Sequence, residues 1–350
     1  MEGLFYDDIR DFQKAEPVYR AWAARYPNDY VPLFYRGSML SCLGRNEEAI
    51  RTWEKSFDLK RYPTTAEELG KLALLAGDVR KAENWLAKLR DLGSPRPQTA
   101  LGAKLLICRG DYAAALKTLE KWRLLKDSRS KASVAQLQAS LYADLDRPEE
   151  AIRILRDAIA FERGEGEPQF IEDLSLALAA VLAQSKRLRE AIDFADSCLR
   201  PGLSPGAIEK LARVYRVAGM PQRIQALLKR IPEHSGFPVF DHARAIVAGE
   251  AAFAAKEFAT ARRQFEMASS TIPAGYLSPM ALWELLAAAQ WRDEAVRGLR
   301  EPSLNPAYLW RNMERLWPGV WRHALSLFTT VGPNRSDLIN ARNRLDALNL

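Results

Sequence analysis

The sequence predicts an all-α protein, a right-handed superhelical solenoid of about nine helix pairs with a C-terminal helical cap. Three observations predict it. A short segment recurs about every 34 residues, small residues stand at two fixed positions of each recurrence, and apolar residues are spaced by three and four. A period in this range is typical of solenoids, in which each unit packs only against its neighbours.

The recurring segment reads GRNEEAI at residues 44–50, and its sixth residue is an alanine in nearly every unit. This key alanine recurs at Ala15, Ala49, Ala82, Ala115, Ala151, Ala191, Ala261 and Ala295. Between Ala191 and Ala261 we interpret the segment that starts at Gly219 as a degenerate copy in which Arg223 replaces the alanine.

A second small residue stands twelve positions before the key alanine in most units. It is Gly3, Gly37, Gly70, Ala103, Ala139, Ala179 or Gly249. Small side chains at both positions allow the two antiparallel helices of a unit to approach closely. Leu211 and Trp283 fill this position in units seven and nine, so these two units are expected to pack differently.

This pattern resembles the tetratricopeptide repeat, in which a small residue, an alanine, a large apolar residue and often a proline hold positions 8, 20, 24 and 32 of a unit. Unit one matches with Gly3, Ala15, Tyr19 and Pro27. The resemblance covers about residues 3–300 and weakens in units seven and nine. An armadillo or HEAT array fits less well, because its period is about 40–47 residues.

Residues 19–32 are in addition similar to the repeat tails of bacterial eukaryotic-like Ser/Thr kinases and of winged-helix regulators. No kinase loop motif accompanies them. This second resemblance implies a bacterial sensing or docking part. The first helix of unit one spans barely ten residues, about as many as precede Asp11, so we expect a truncated chain or a helix supplied by another molecule.

The chain divides into a solenoid at residues 1–302, irregular around 200–240 where prolines accumulate, and tryptophan-rich capping helices at residues 303–350. The end of an array needs a cap over its apolar edge. We therefore expect Trp310, Trp317 and Trp321 to cover the last unit. The alternative is a docking patch or a homo-oligomer interface, because aromatic residues are enriched at binding hot spots.

The resemblance implies a concave groove lined by the first helix of each unit. In the N-terminal half the groove residues are Phe34, Tyr35, Ser38, Lys71, Lys104, Gln136 and Ser140. In the C-terminal half they are Glu250 and Glu284. We expect neither lysine to be buried, and we expect a peptide with acidic character at the N-terminal half. The alternative is a solvated surface without a ligand.

These features favour a protein–protein interaction scaffold or adaptor, not an enzyme. The alternative is a regulatory or sensor module that controls a signalling or transcriptional effector through a small ligand or nucleic acid. The net charge of +7, from 51 Lys+Arg and 44 Asp+Glu, is spread along the chain and so favours acidic protein partners over nucleic acid.

No cofactor or metal is expected, since the cysteines and histidines are not clustered at ligand spacing. They are Cys42, Cys108, Cys198, His234, His242 and His323. No apolar run approaches the roughly 20 residues that cross a bilayer, so membrane insertion is not expected. The first residues lack a signal-peptide pattern, and a cytoplasmic location is the expectation.

Overall fold

The computed structural model describes residues 11–76, 78–109, 111–123, 128–165, 168–233 and 237–271. In these ranges the chain forms fifteen α-helices and no β-strand. The helices are α1 Phe12–Arg25, α2 Tyr30–Cys42, α3 Asn46–Leu59, α4 Pro63–Leu75, α5 Val79–Asp91, α6 Pro95–Cys108, α7 Tyr112–Arg123, α8 Ser128–Asp144, α9 Pro148–Glu165, α10 Pro168–Gln184, α11 Leu188–Ser197, α12 Pro205–Val217, α13 Pro221–Leu228, α14 Pro238–Ala254 and α15 Phe258–Thr271.

The helices stack in chain order as pairs. Helix α1 is the second helix of unit one, and α2/α3 through α14/α15 are the pairs of units two to eight. The first helices of successive units also pack together, as α4 with α6, α8 with α10, α10 with α12 and α12 with α14. Contacts between successive second helices are sparse among the described residues, so the first helices lie on the inner side of the stack. The predicted all-α stack of helix pairs is confirmed for the described residues.

The key alanines lie at the contact between the two helices of their units. Those of units one to six and unit eight are fully buried: Ala15, Ala49, Ala82, Ala115, Ala151, Ala191 and Ala261. At the small position of units two and eight, Gly37 and Gly249 leave room for aromatic rings. A Cβ added at Gly37 would lie 2.4 Å from Trp53 Cδ1, and one at Gly249 would lie 2.5 Å from Phe265 Cε1. Ala295 lies outside the described residues.

One turn geometry joins the two helices in units two, five, six, seven and eight. A residue with positive φ ends the first helix, as at Gly44 (74°), Lys186 (60°) and Gly219 (71°). The amide of the following residue then donates to the carbonyl five residues earlier, as in Arg45 to Leu40, at 2.9 Å. This is the Schellman motif, which satisfies carbonyls at a helix end. It fixes the register of the second helix.

The turn corrects the alignment of unit seven. Met220 donates to the carbonyl five residues back, as Arg45 does in unit two, so the key position lies four residues later, at Ile224. Ile224 is fully buried, whereas the Arg223 side chain is 38% exposed. The interpretation of Arg223 as the replaced alanine was therefore wrong by one residue. The small residue twelve positions earlier is Ala212, not Leu211, and it is also fully buried.

Prolines begin several helices, including three in the segment predicted to be irregular. Pro205, Pro221 and Pro238 are the first residues of α12, α13 and α14. The first turn of a helix tolerates a missing N–H, so these prolines position helix starts and interrupt none of the three helices. Helix α13 spans eight residues and is the shortest helix described.

Candidate functional site

An aromatic cluster covers units one to three. It consists of Tyr19, Trp22, Tyr30, Phe34, Tyr35 and Tyr62. Tyr19 stacks on Tyr35 with ring centroids 5.3 Å apart, and Phe34 meets both Tyr35 and Tyr62 edge-on at 5.5 and 5.7 Å. The rings thus form one connected cluster, which includes the buried Tyr19 and the predicted groove residues Phe34 and Tyr35.

Helix α3 holds the cluster in place from behind. Trp53 Nε1 donates to the backbone carbonyl of Phe34 at 2.9 Å, and Ser56 Oγ donates to that of Tyr30 at 3.0 Å. The Ser38 hydroxyl, a predicted groove residue, also donates to the Phe34 carbonyl, at 3.2 Å. These bonds fix the backbone of α2 beneath the rings.

The cluster is partly open to solvent. Trp22 is 37% exposed, and Phe34, Tyr35 and Tyr62 are half-buried. The Lys60 ammonium lies 4.7 Å from the centre of the Tyr30 ring, a cation–π distance. A surface of this kind offers apolar area with little loss of side-chain freedom on binding, because aromatic side chains have few rotatable bonds.

Lys71, another predicted groove residue, forms ion pairs with two glutamates of its own helix. Its Nζ is 2.7 Å from Glu67 Oε1 and 2.8 Å from Glu68 Oε1, and the side chain is 17% exposed. One lysine and two glutamates leave this group with a net charge of −1. Lys71 therefore presents no surplus positive charge to an acidic ligand.

Lys104 corrects the expectation that neither lysine is buried, since it is 4% exposed. Ser140, at the same repeat position one unit further, is 2% exposed, and Gln136 is half-buried. The physical reason is the stacking of first helices. Lys104 and Ser140 follow the small residue of their units, at the ninth position. Where the first helices of neighbouring units pack together, this position faces the adjacent helix more than it faces solvent.

In the C-terminal half, Glu250 forms an ion pair inside the protein. It is 1% exposed, and Arg216 Nε on the first helix of the preceding unit donates to Glu250 Oε2. The Arg216 guanidinium also lies 4.5 Å from the centre of the Phe253 ring. The predicted groove charge at Glu250 is thus a contact between units seven and eight. Glu284, Trp310, Trp317 and Trp321 lie outside the described residues.

The sequence did not indicate a polar group between units six and seven. Tyr215 Oη donates to Asp196 Oδ1 at 2.8 Å, and Arg223 Nη1 donates to the same oxygen. Burial, followed by the bond to Asp196, raises the pKa of the Tyr215 hydroxyl well above its usual range. The bond from Arg223 could have been suspected only after the register of unit seven was corrected.

The cysteine and histidine side chains, which could bind a metal, are dispersed in the described residues. Cys198 is buried, and burial raises the pKa of its thiol. His242 is also buried, with Nδ1 3.0 Å from the carbonyl oxygen of Ala268. The described residues contain no group of three or more His, Cys, Asp or Glu side chains placed to hold a metal ion. They also contain no helix long and apolar enough to cross a membrane.

Comparison with known proteins found similar chains among solved structures. No family model matches the chain, and no curated protein matches it. The tetratricopeptide domain of P58(IPK) is similar over 85% of this chain and 97% of its own, at 14% identity and a TM-score of 0.24. A tetratricopeptide repeat protein from Parabacteroides merdae matches over 83% and 96%, at 17% identity and a TM-score of 0.37. Yeast Tom70 matches over 93% and 85%, at 13% identity and a TM-score of 0.30.

Proposed function

We propose that the chain is a non-enzymatic protein-interaction scaffold or adaptor that binds a peptide or protein segment on the inner side of units one to three. The connected and partly exposed aromatic cluster is the observation that carries the proposal. Aromatic side chains are enriched at the centres of protein interfaces, where a few of them supply most of the binding energy. Phe34 and Tyr35 are the proposed anchors, and the bond from Trp53 to the Phe34 carbonyl supports their position.

Apolar contact is the main source of affinity in this proposal. The group of Lys71, Glu67 and Glu68 is locally negative, and Lys104 is buried. An acidic partner, which the sequence predicts, would therefore be attracted by the overall charge of +7 more than by a lysine in the groove. That attraction would act on the association rate and would weaken with salt.

A peptide library tests the proposal without a known partner. Random peptides displayed on phage would be selected on the immobilised full chain, and the selected sequences would be synthesised and titrated. Phe34→Ala should weaken their binding about ten-fold or more, because truncating a hot-spot residue costs about 2 kcal/mol or more. The control Tyr142→Ala removes a half-buried aromatic side chain from the first helix of unit five and should leave binding unchanged.

The same peptides report on charge. Enrichment of Asp and Glu, with affinity that falls as salt increases, would support an acidic partner. Peptides that bind Phe34→Ala as tightly as the unmodified chain would place the binding surface elsewhere and contradict the proposal.

A further inference from the structure

A pocket opens between α11 and α13, the second helices of units six and seven. It has a volume of about 260 Å³ and is lined by Asp196, Leu199, Tyr215, Arg223, Ala226, Leu227 and Arg230. We call it the outer pocket, because the inner side of the stack is formed by first helices. It shares no residue with the aromatic cluster or with the predicted groove.

The irregular geometry of unit seven forms the pocket. Helix α13 has eight residues, and the chain turns away after Leu228. Ile224 takes the buried key position, so its neighbour Arg223 points to the side and binds Asp196 of unit six. The Arg223 guanidinium also lies 5.4 Å from the centre of the Tyr215 ring, which is itself buried. Asp196, Tyr215 and Arg223 therefore form a polar side of the pocket, and their mutual contacts fix its geometry.

The opposite side is apolar and carries one positive charge. Leu199 is 36% exposed, and Ala226 and Leu227 continue the apolar wall. Arg230 is exposed at the rim, and its guanidinium forms no hydrogen bond or ion pair with any residue in the described ranges. Since Asp196 is matched by Arg223, the lining has a net charge of +1, and that charge is on Arg230.

We propose that the outer pocket binds a short peptide segment in which an apolar side chain is next to an aspartate or glutamate. The apolar side chain would lie against Leu199 and Leu227, and the carboxylate would bind Arg230. The volume lies below the roughly 300–1,000 Å³ typical of small-molecule sites, which suits a single peptide side chain. The pocket lies away from the inner groove, so the scaffold could hold two partners at once.

Blocked dipeptides are suitable probes for this site. Acetyl-leucyl-aspartyl amide would be titrated against the full chain by ligand-observed NMR. It should bind more tightly than its asparaginyl analogue, which lacks the charge, and than its alanyl analogue, which lacks the apolar anchor. Arg230→Gln should weaken binding of the aspartyl peptide about three- to five-fold, as expected for an exposed ion pair.

The matched control is Lys229→Gln, which removes one positive charge from the same turn at a residue that does not line the pocket. It should leave the affinity unchanged. Arg230→Gln should also leave binding of the asparaginyl analogue unchanged, which isolates the carboxylate–Arg230 contact. Circular dichroism of both variants would verify that their helix content equals that of the unmodified chain.

Three outcomes would overturn the proposal. The first is equal weakening by Lys229→Gln and Arg230→Gln, which would indicate a general charge effect. The second is equal binding of the aspartyl and asparaginyl peptides, or binding of neither. The third is binding of 4-methylpentanoate as tight as that of the dipeptide, which would assign the pocket to small carboxylates in place of peptides.

Discussion

Trp53 Nε1 donates a hydrogen bond to the backbone carbonyl of Phe34 at 2.9 Å. The bond joins the core of unit two to the aromatic cluster. It depends on Gly37, because the Trp53 ring lies against the Cα of that residue and a Cβ there would be 2.4 Å from Trp53 Cδ1. The small position of the repeat therefore has a second consequence here, since it allows a core residue to support a binding residue.

Gly37→Ala should destabilise the chain by about 1–3 kcal/mol, the usual cost of overpacking a core. The control is Gly102→Ala, also inside a helix, where the nearest atoms to an added Cβ are 3.9 Å away on Leu86. This control should stabilise by up to about 1 kcal/mol, because alanine favours helix over glycine. Urea unfolding midpoints of the two variants should move in opposite directions, and a matching shift would contradict the steric role of Gly37.

The buried alanines were predictable because they depend on geometry within one unit. Ala49 and Ala151 are small since the two helices of their units touch there, and this constraint repeats with the period of the sequence. The burial of Lys104 and Glu250 was not predictable in this way. It depends on how closely the first helices of neighbouring units stack, which no local pattern records. The aromatic cluster was predicted in part, through Phe34 and Tyr35, and was joined to Tyr19 and Tyr62 only by the fold.

The register of unit seven could have been predicted. Glycine is favoured where φ is positive, and the turn residue lies five positions before the key residue in units two, five, six and eight. Counting five positions from Gly219 gives Ile224 in place of Arg223. The recurring segment gives the same answer, because Ile224 is the sixth residue of 219–225, as Ala49 is of 44–50.

Replacement by alanine should cost much more stability at Ile224 than at Arg223. Ile224→Ala removes a fully buried side chain and should cost about 2–4 kcal/mol. Arg223→Ala removes a partly exposed ion pair with Asp196 and should cost less than about 1 kcal/mol. The measurement is the urea midpoint of each variant. A stabilising effect of Arg223→Ala would restore the original alignment, in which alanine belongs at residue 223.

Lys186 ends the first helix of unit six with φ of 60°, a backbone conformation that costs a non-glycine residue roughly 1–2 kcal/mol. Lys186→Gly should therefore stabilise by about 0.5–1 kcal/mol, after allowance for the greater freedom of glycine in the unfolded chain. Lys186→Ala removes the same charge and keeps the Cβ, so it should bring no gain. Thermal melting of the two variants makes the comparison, and equal melting temperatures would show that the conformation carries no cost.

Stability at alkaline pH should depend on Tyr215. Its hydroxyl is buried and donates to Asp196, and the pKa of the hydroxyl is raised above its usual range. Below about pH 10, the pKa of a free tyrosine, the native and unfolded chains both keep this proton. Above that pH the unfolded chain releases it while the native chain retains it, so the free energy of unfolding falls as pH rises. The slope from this group is at most about 1.4 kcal/mol per pH unit.

Tyr215→Phe removes both the hydrogen bond and the proton. The variant should be less stable than the unmodified chain at pH 8 by about 1 kcal/mol, the typical net value of one hydrogen bond. The difference should narrow as pH rises from 10 to 11.5, because only the unmodified chain loses the stability linked to this proton. Tyr26→Phe changes a tyrosine that is 50% exposed and should show the same pH slope as the unmodified chain. Urea midpoints at each pH provide the test. If the difference in midpoint between Tyr215→Phe and the unmodified chain stays constant up to pH 11.5, the native chain does not hold this proton more tightly than the unfolded chain does.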